Sequence, residues 1–322
     1  RTTPNRWATR FHRDRLGTPR PRAVSADCCI AHQCRECVGF PGVAHPKLPA
    51  LPFPHYVSRP TSLDLRPSHY VSCTTSPDPR FLLSARPFRI ASIDDIRSDF
   101  PCFERVHPAG PVAWFDGPGG TQVPARVAEA MTDYLLHHNA NTHWAYASSA
   151  ETDAMLAEAR QALADFLCCD PAEVVFGANM TSLTYHLSRA VGRALQPGDE
   201  VIVTRLDHQA NVAPWHDMAR DVGAVVREIP FDVTTGQLRL DRFFDALGER
   251  TRVVALGAAS NALGTVTDVA PLISAARAVG AFTFVDAVHF APHERVDVRA
   301  LGCHALGCSP YKFYGPHLGC LY

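Results

Sequence analysis

Between Pro171 and Asp286 the chain alternates short apolar runs with amphipathic stretches, and this alternation limits the fold more than any other feature. The apolar runs are 173–176, 200–204, 224–228, 252–256 and 282–285, each of strand length. Helices are expected between them: from Thr181 and Ser182 to about Leu195, through Trp215 to about Asp221, from Asp241 to Leu247, and from Asp268 onward. Strands that alternate with helices predict a mostly parallel sheet with helices on both faces, an α/β fold. In such sheets ligands sit beyond the carboxyl ends of the strands.

Regular patterning begins near Ala91. Ser92 followed by Asp94 and Asp95 reads as a helix cap with acids in the first turn. Residues 112–115 read as a short strand. It leads into Asp116-Gly117-Pro118-Gly119-Gly120-Thr121, a loop that needs glycine torsions. Its spacing is neither G-x-G-x-x-G nor a loop ending in G-K-[ST], so a Rossmann-type nucleotide site is not supported. Pro124 marks a helix start, with Val127, Ala130, Met131 and Tyr134 on one face. The polar and aromatic stretch from Asn139 to Ser148 places His143, Trp144 and Tyr146 where they could line a pocket. Ser149 is expected to cap a long helix with an apolar stripe of Leu156, Ala159, Leu163, Phe166 and Leu167.

Residues 1–88 differ in kind. They hold 13 of the 26 prolines and carry 13 basic against 5 acidic residues, leaving 18 basic and 27 acidic residues for the rest. Proline removes backbone donors and blocks helix and sheet interiors, so an extension without a folded core is expected here, ahead of a domain from 89 to 322. Cys34 and Cys37, within the cysteine-rich stretch Cys28–Cys37, have C-x-x-C spacing, but no second ligand pair stands at a familiar separation, and no metal site is assigned. An acidic main body argues against a nucleic-acid partner. Eleven cysteines, an odd number, with neither a secretory signal nor a membrane-spanning apolar run, suit reduced thiols in a cytoplasm.

The residues with chemistry cluster after the strands. Thr181 and Ser182 open a helix, whose amides and dipole favour a phosphate. His208 follows one strand, Asn261 another, and Asp286 and His289 the last, and Lys312 comes 26 residues after Asp286. Only two of 31 basic residues are lysines, Lys47 and Lys312. Arginine stays protonated in proteins, whereas a desolvated lysine can lose its proton and attack a carbonyl. An amine, an apolar-flanked carboxylate, an imidazole and a helix-start anion site suit pyridoxal phosphate. Taken singly, each residue has a plainer reading: packed histidines, helix caps, a turn-forming asparagine, a surface lysine.

The stretches Asp207-His208-Gln209-Ala210-Asn211, Ser260-Asn261-Ala262-Leu263-Gly264, Val285-Asp286 and Ser309-Pro310-Tyr311-Lys312-Phe313-Tyr314-Gly315-Pro316, in this order, resemble the large domain of the class V aminotransferase family. The similarity is to its cysteine desulfurase-like branch and covers residues 89–322. It implies a fold-type-I enzyme that binds pyridoxal 5′-phosphate, usually as a homodimer. Lys312 would be the Schiff-base lysine, Asp286 the partner of the ring nitrogen, and His208 would stack on the ring. Asn179, Met180, Thr181 and Ser309 would hold the phosphate, with Asn261 near the ring hydroxyl or the substrate carboxylate. The implied reaction removes sulfur from cysteine to give alanine, with a sulfur-acceptor protein as a further partner.

The sequence departs from that pattern in several places. His289 stands where desulfurases commonly have glutamine near the ring hydroxyl, and Tyr311 replaces a frequent histidine. The family's smaller C-terminal domain, with its sulfur-accepting cysteine and carboxylate-binding arginine, is expected to be missing after Tyr322. Cys303, Cys308 and Cys320 do not match that cysteine's place and read as buried structural thiols. Another transaminase or lyase reaction, or a catalytically inert truncated product, therefore stands beside desulfuration.

Overall fold

The computed structural model describes residues 91–322. The proline-rich extension and the Cys28–Cys37 stretch lie outside the described residues. Helix α1 (Ile93–Ser98) starts with a capping box in which Ser92 Oγ accepts from Asp95 N at 3.1 Å and Asp95 Oδ2 accepts from Ser92 N at 3.2 Å. Strands β1 (Val106–His107) and β2 (Gly110–Pro111) form a small antiparallel pair. Residues 112–115 join no ladder, contrary to the strand expected there; Phe115 is 90% exposed. Propensity alone does not make a strand without a neighbour to receive its backbone donors.

Helix α2 (Ala125–Asp133) begins after Pro124 as expected, yet it has no buried residue, and Met131 on its apolar face stays 49% exposed. Helix α3 (Ala147–Leu167) starts two residues earlier than the Ser149 cap expected from sequence. Ser149 instead lies buried in the first turn, where its Oγ accepts from Trp144 N at 2.9 Å. The helix ends on Cys168 in the left-handed region, φ 57°. Most of its expected stripe faces inward: Leu167 is buried and Leu163 packs against the core, while Phe166 is 38% exposed and stacks on Phe313.

Beyond these come strand β3 (Val175–Gly177), helix α4 (Met180–Gly192), strand β4 (Glu200–Thr204), helix α5 (Ala213–Val222), strand β5 (Val225–Ile229), helix α6 (Leu240–Ala246) and strand β6 (Thr251–Gly257). Helix α7 (Ala270–Ala278), strand β7 (Phe282–Asp286), helix α8 (Val298–Leu301), strand β8 (Ala305–Cys308) and strand β9 (Gly319–Leu321) complete the chain. Seven strands form one sheet in the order β3-β9-β8-β7-β6-β4-β5. The run from β8 to β5 is parallel, and β9 pairs antiparallel with both β8 and β3. The alternation of strands and helices thus gives the α/β sheet expected from sequence.

The strand period of two sorts neighbouring residues onto opposite faces. Val201, Val203, Val253, Ala255 and Phe284 pack with Trp215 and Met218 of α5 and Met180 of α4. Ile202, Val254, Leu256 and Val285 point the other way, against Phe243 of α6, Leu272 and Ile273 of α7 and Leu167 of α3. Both faces of the central strands are therefore dry, which is why β4 is apolar and buried along its whole length except for Glu200 and Thr204, also buried. Among the described residues, no helix is long and apolar enough to cross a membrane.

Candidate active site

Parallel strands that end in one direction deliver their following loops to one edge of the sheet. There a single cavity is lined by Asn179, Met180 and Thr181 at the start of α4, by His208 after β4 and Asn261 after β6, by Asp286 and His289 at and after β7, and by Ser309 and Lys312 after β8. All nine residues singled out in the sequence thus come together. Ser182 does not line the cavity; its N and Oγ both donate to Asn179 Oδ1, at 2.8 and 3.1 Å, so it completes the helix cap. His143, Trp144 and Tyr146 do not line it either. His143 pairs with Asp153, and Trp144 and Tyr146 are 65% and 49% exposed.

Lys312 ends a short 3-10 turn, Pro310–Lys312, and is buried. Its Nζ donates to the Pro118 carbonyl and lies 4.6 Å from the Tyr311 ring centroid. Burial lowers its pKa, while Asp116 and Asp286 pull in the opposite direction. The Gly-rich loop that offers Pro118 is tied to the lysine loop from both sides: Thr121 N and Oγ1 donate to Tyr311 O at 2.9 and 3.1 Å, and Tyr314 N donates to Thr121 Oγ1 at 2.7 Å. Gly120 there has φ +142°, and a Cβ on it would meet the Tyr311 ring at 3.3 Å. This loop, expected from sequence to need glycine torsions, supplies a wall of the cavity.

Asp286 is the last residue of β7 and almost fully buried. Its Oδ1 accepts from Val288 N at 2.9 Å. Burial pushes its pKa up to about 6, partly countered by that bond and by Lys312. His289, half-buried, is pushed down to about 4 by burial and then by its electrostatic interactions with Lys312, His208 and His293. His208 is orientated by its own turn, since its Nδ1 accepts from Ala210 N at 3.0 Å, which leaves the ring proton on Nε2. At the start of α4, Met180 N donates to Ser309 Oγ at 3.3 Å, linking the two segments that carry the helix-start and lysine-loop residues.

Sequence reasoning did not single out Asp207, Pro118, Ala210 or Val288. Pro118, Ala210 and Val288 line the cavity through loop geometry that no motif announces. A second cavity of about 590 Å³ shares Pro118, Asn261, His289 and Lys312 and continues towards Leu263, Phe290 and His293. Another cavity, about 710 Å³, lies at the opposite end of β4, where Glu200 is already paired with Arg227 at 2.7 Å and Arg250 at 3.2 Å. The residues assigned to the cofactor line the cavity at the lysine end instead.

The three thiols near the C-terminal strands are buried, as read from sequence. Cys308 and Cys320 face each other across β8 and β9, and their mutual hydrogen bond and burial hold the Cys308 thiol well above its ordinary value. Burial pushes Cys303 up to about 11. None of the cysteines among the described residues lines the cavity.

Comparison with known proteins agrees with this arrangement. The family model described as "Aminotransferase class-V" matches residues 113–322. A probable cysteine desulfurase of Mycolicibacterium paratuberculosis is 34% identical over 252 residues, 77% of this chain and 36% of that protein. An aminotransferase-like protein of Gibberella zeae is 34% identical over 237 residues, 72% of this chain and 57% of its own. The solved apo structure of the cysteine desulfurase from Thermococcus onnurineus superposes with a TM-score of 0.67 at 29% identity, covering 73% of this chain and 57% of that one. The chain thus spans less than two thirds of the length of these relatives. A sheet of this topology, with its chemistry gathered at the strand ends and matched by the family model over residues 113–322, places the chain in the class V aminotransferase family, in its cysteine desulfurase-like branch.

Proposed function

We propose that residues 89–322 form a pyridoxal 5′-phosphate-binding domain that acts on an amino acid, with desulfuration of cysteine to alanine as the leading reaction. One observation carries the reading: a desolvated amine, Lys312, and a buried carboxylate, Asp286, line the same cavity as the start of α4. The residues fit the group chemically. Asp286 is buried at a cost that a protonated ring nitrogen would offset, and Lys312 has its pKa lowered towards the neutral amine that attacks an aldehyde. When bound, the cofactor supplies an electron-withdrawing ring that stabilises negative charge at the substrate's α carbon.

The chain's own residues then have defined tasks. Lys312 would anchor the cofactor and, as a free amine, would move a proton at the substrate's α carbon. Asp286 would hold the ring nitrogen protonated. The His208 ring, fixed by Ala210 N, would lie against the cofactor ring. Asn179, Met180, Thr181 and Ser309 would hold the phosphate, favoured by the positive end of α4. Asn261 and His289 face the ring hydroxyl or the substrate carboxylate. A homodimer, a sulfur-acceptor protein and a cytoplasmic setting belong to the same proposal.

The test is the visible absorbance of protein-bound cofactor after reconstitution. Wild type is expected to show it and Lys312→Ala to lose it; a wild-type protein that stays colourless would overturn the reading. A second reading, transamination or another lyase step, would use the same amine and carboxylate and differ in its product. Alanine formed from cysteine by the reconstituted chain supports desulfuration. Pyruvate or a racemised amino acid supports the second reading, and no product from any amino acid leaves a cofactor-binding but inert chain.

A further inference from the structure

We propose that Asp207 is a positioning residue, which clamps the His208 turn to the strand end beside Asp286 through a chain of hydrogen bonds reaching the buried Trp215. The inference rests on reading the cavity as the cofactor site, because His208 and Asp286 have their assigned roles only there.

The chain of bonds is continuous. Trp215 Nε1 donates to Asn211 Oδ1 at 3.1 Å, and Asn211 Nδ2 donates to Asp207 Oδ2 at 2.8 Å. Asp207 Oδ1 accepts from Gly257 N at 2.9 Å. Gly257 is the register partner of Asp286 across β6 and β7, and the next amide, Ala258 N, donates to Asp286 O at 2.9 Å. Trp215 and Asn211 are both fully buried, so the far end of the chain is anchored in the core. Indole nitrogen can only donate, which forces Asn211 to turn its oxygen to Trp215 and its amino group to Asp207.

This polarity explains why a carboxylate stands at 207. The side chain must accept from two donors on opposite sides, Gly257 and Asn211, and an asparagine would present its own amino group to one of them. The bond to Gly257 crosses 50 residues of sequence, which separates it from an ordinary local turn. It also requires close approach: a Cβ on Gly257 would lie 2.4 Å from Asp207 Oδ1. Between the two clamped residues, 207 and 211, sits His208, whose ring is held by Ala210 N and whose carbonyl accepts from Asn211 N at 2.8 Å. The imidazole therefore has its height above the sheet set by Asp207 and its rotation set by Ala210.

The experiment compares wild type, Asp207→Asn, and the exchange variant Asp207→Asn with Asn211→Asp. The single change sets two amino groups against each other. The exchange restores every donor and acceptor while moving the carboxylate one step further from Asp286. In the cofactor-free full chain, amide hydrogen exchange at Ala210 and Asn211 is expected to quicken about tenfold in the single variant and to return to within about threefold of wild type in the exchange variant. The dissociation constant for pyridoxal 5′-phosphate is expected to follow the same order, rising about tenfold and then recovering. Unchanged amide exchange in Asp207→Asn overturns the inference, and so does a loosened turn that the exchange variant fails to restore. Amide exchange decides the inference even if wild type binds no cofactor, an outcome that would count against the proposed function alone.

Discussion

Gly319, in the last strand, lies so close to Asn179 that a Cβ added to it would sit 2.3 Å from the Asn179 carbonyl carbon. Strand β9 and the cap of α4 are 140 residues apart in sequence, yet the strand's backbone is pressed against the cap's backbone. The start of α4 is thus held from two directions, by Ser309 Oγ on Met180 N and by β9 beneath Asn179.

Gly319→Ala is expected to force these backbones apart, because no flexible side chain is present to yield. Overpacking of this kind costs about 1–3 kcal/mol, and this contact belongs at the upper end. A chain of this size should lose about 2–4 °C of Tm for each kcal/mol. Phosphate or cofactor affinity at the start of α4 should fall as well. A thermal melt and a cofactor titration check both, and an unchanged Tm would show that the approach is looser than described.

Thr121 joins the Gly-rich loop to the lysine loop through one hydroxyl that donates to Tyr311 O and accepts from Tyr314 N. Thr121→Val keeps the shape and removes both bonds. A loss of about 1–2 kcal/mol in stability is expected, measured by urea unfolding. Pro118, the partner of Lys312, hangs from the same loop, so Lys312 should also react faster with an amine-directed reagent in the cofactor-free variant. Equal labelling in both proteins would sever the link between this latch and the lysine.

The buried carboxyls and His289 set opposing pH trends in the cofactor-free protein. Asp286, at about 6, and Asp207, pushed up to about 7 by burial and then by the charge of Asp286, bind protons more tightly folded than unfolded. Their contribution to stability therefore falls as pH rises from about 4 to 7. His289, held at about 4, binds protons more tightly unfolded, so its contribution falls as pH drops from 6.5 to about 4. Asp286→Asn should therefore gain about 1–3 kcal/mol over wild type near neutral pH and lose that advantage near pH 4. His289→Gln should show its advantage at about pH 5 and not near neutrality. Melts across this range test the two signs separately; a pH-independent gap for either variant rejects the burial account for that residue.

Much of the site was legible because its chemistry is unusual in this chain. A lysine among arginines, an aspartate closing an apolar run and a histidine after a strand each had a signal, and the order of the loops carried the family resemblance. The strand Ala305–Cys308 had no such signal. Its four residues include a glycine and a cysteine, and their burial is set by β7 and β9 on either side. The apolar face of α2 misled for the opposite reason: its periodicity was real, but among the described residues nothing buries it.

The sequence by itself determined the alternation of strands and helices, and hence a parallel sheet whose functional residues must follow its strand ends. Strand and helix periods are local properties, so they can be read without knowing the neighbours. Only the tertiary structure decided what those residues touch: Lys312 against Pro118, Asp207 bonded to Gly257, and Gly319 under Asn179. These contacts join segments separated by 50 to 194 residues. Their distances depend on how strands register and loops close, and those are settled by packing the whole sheet at once.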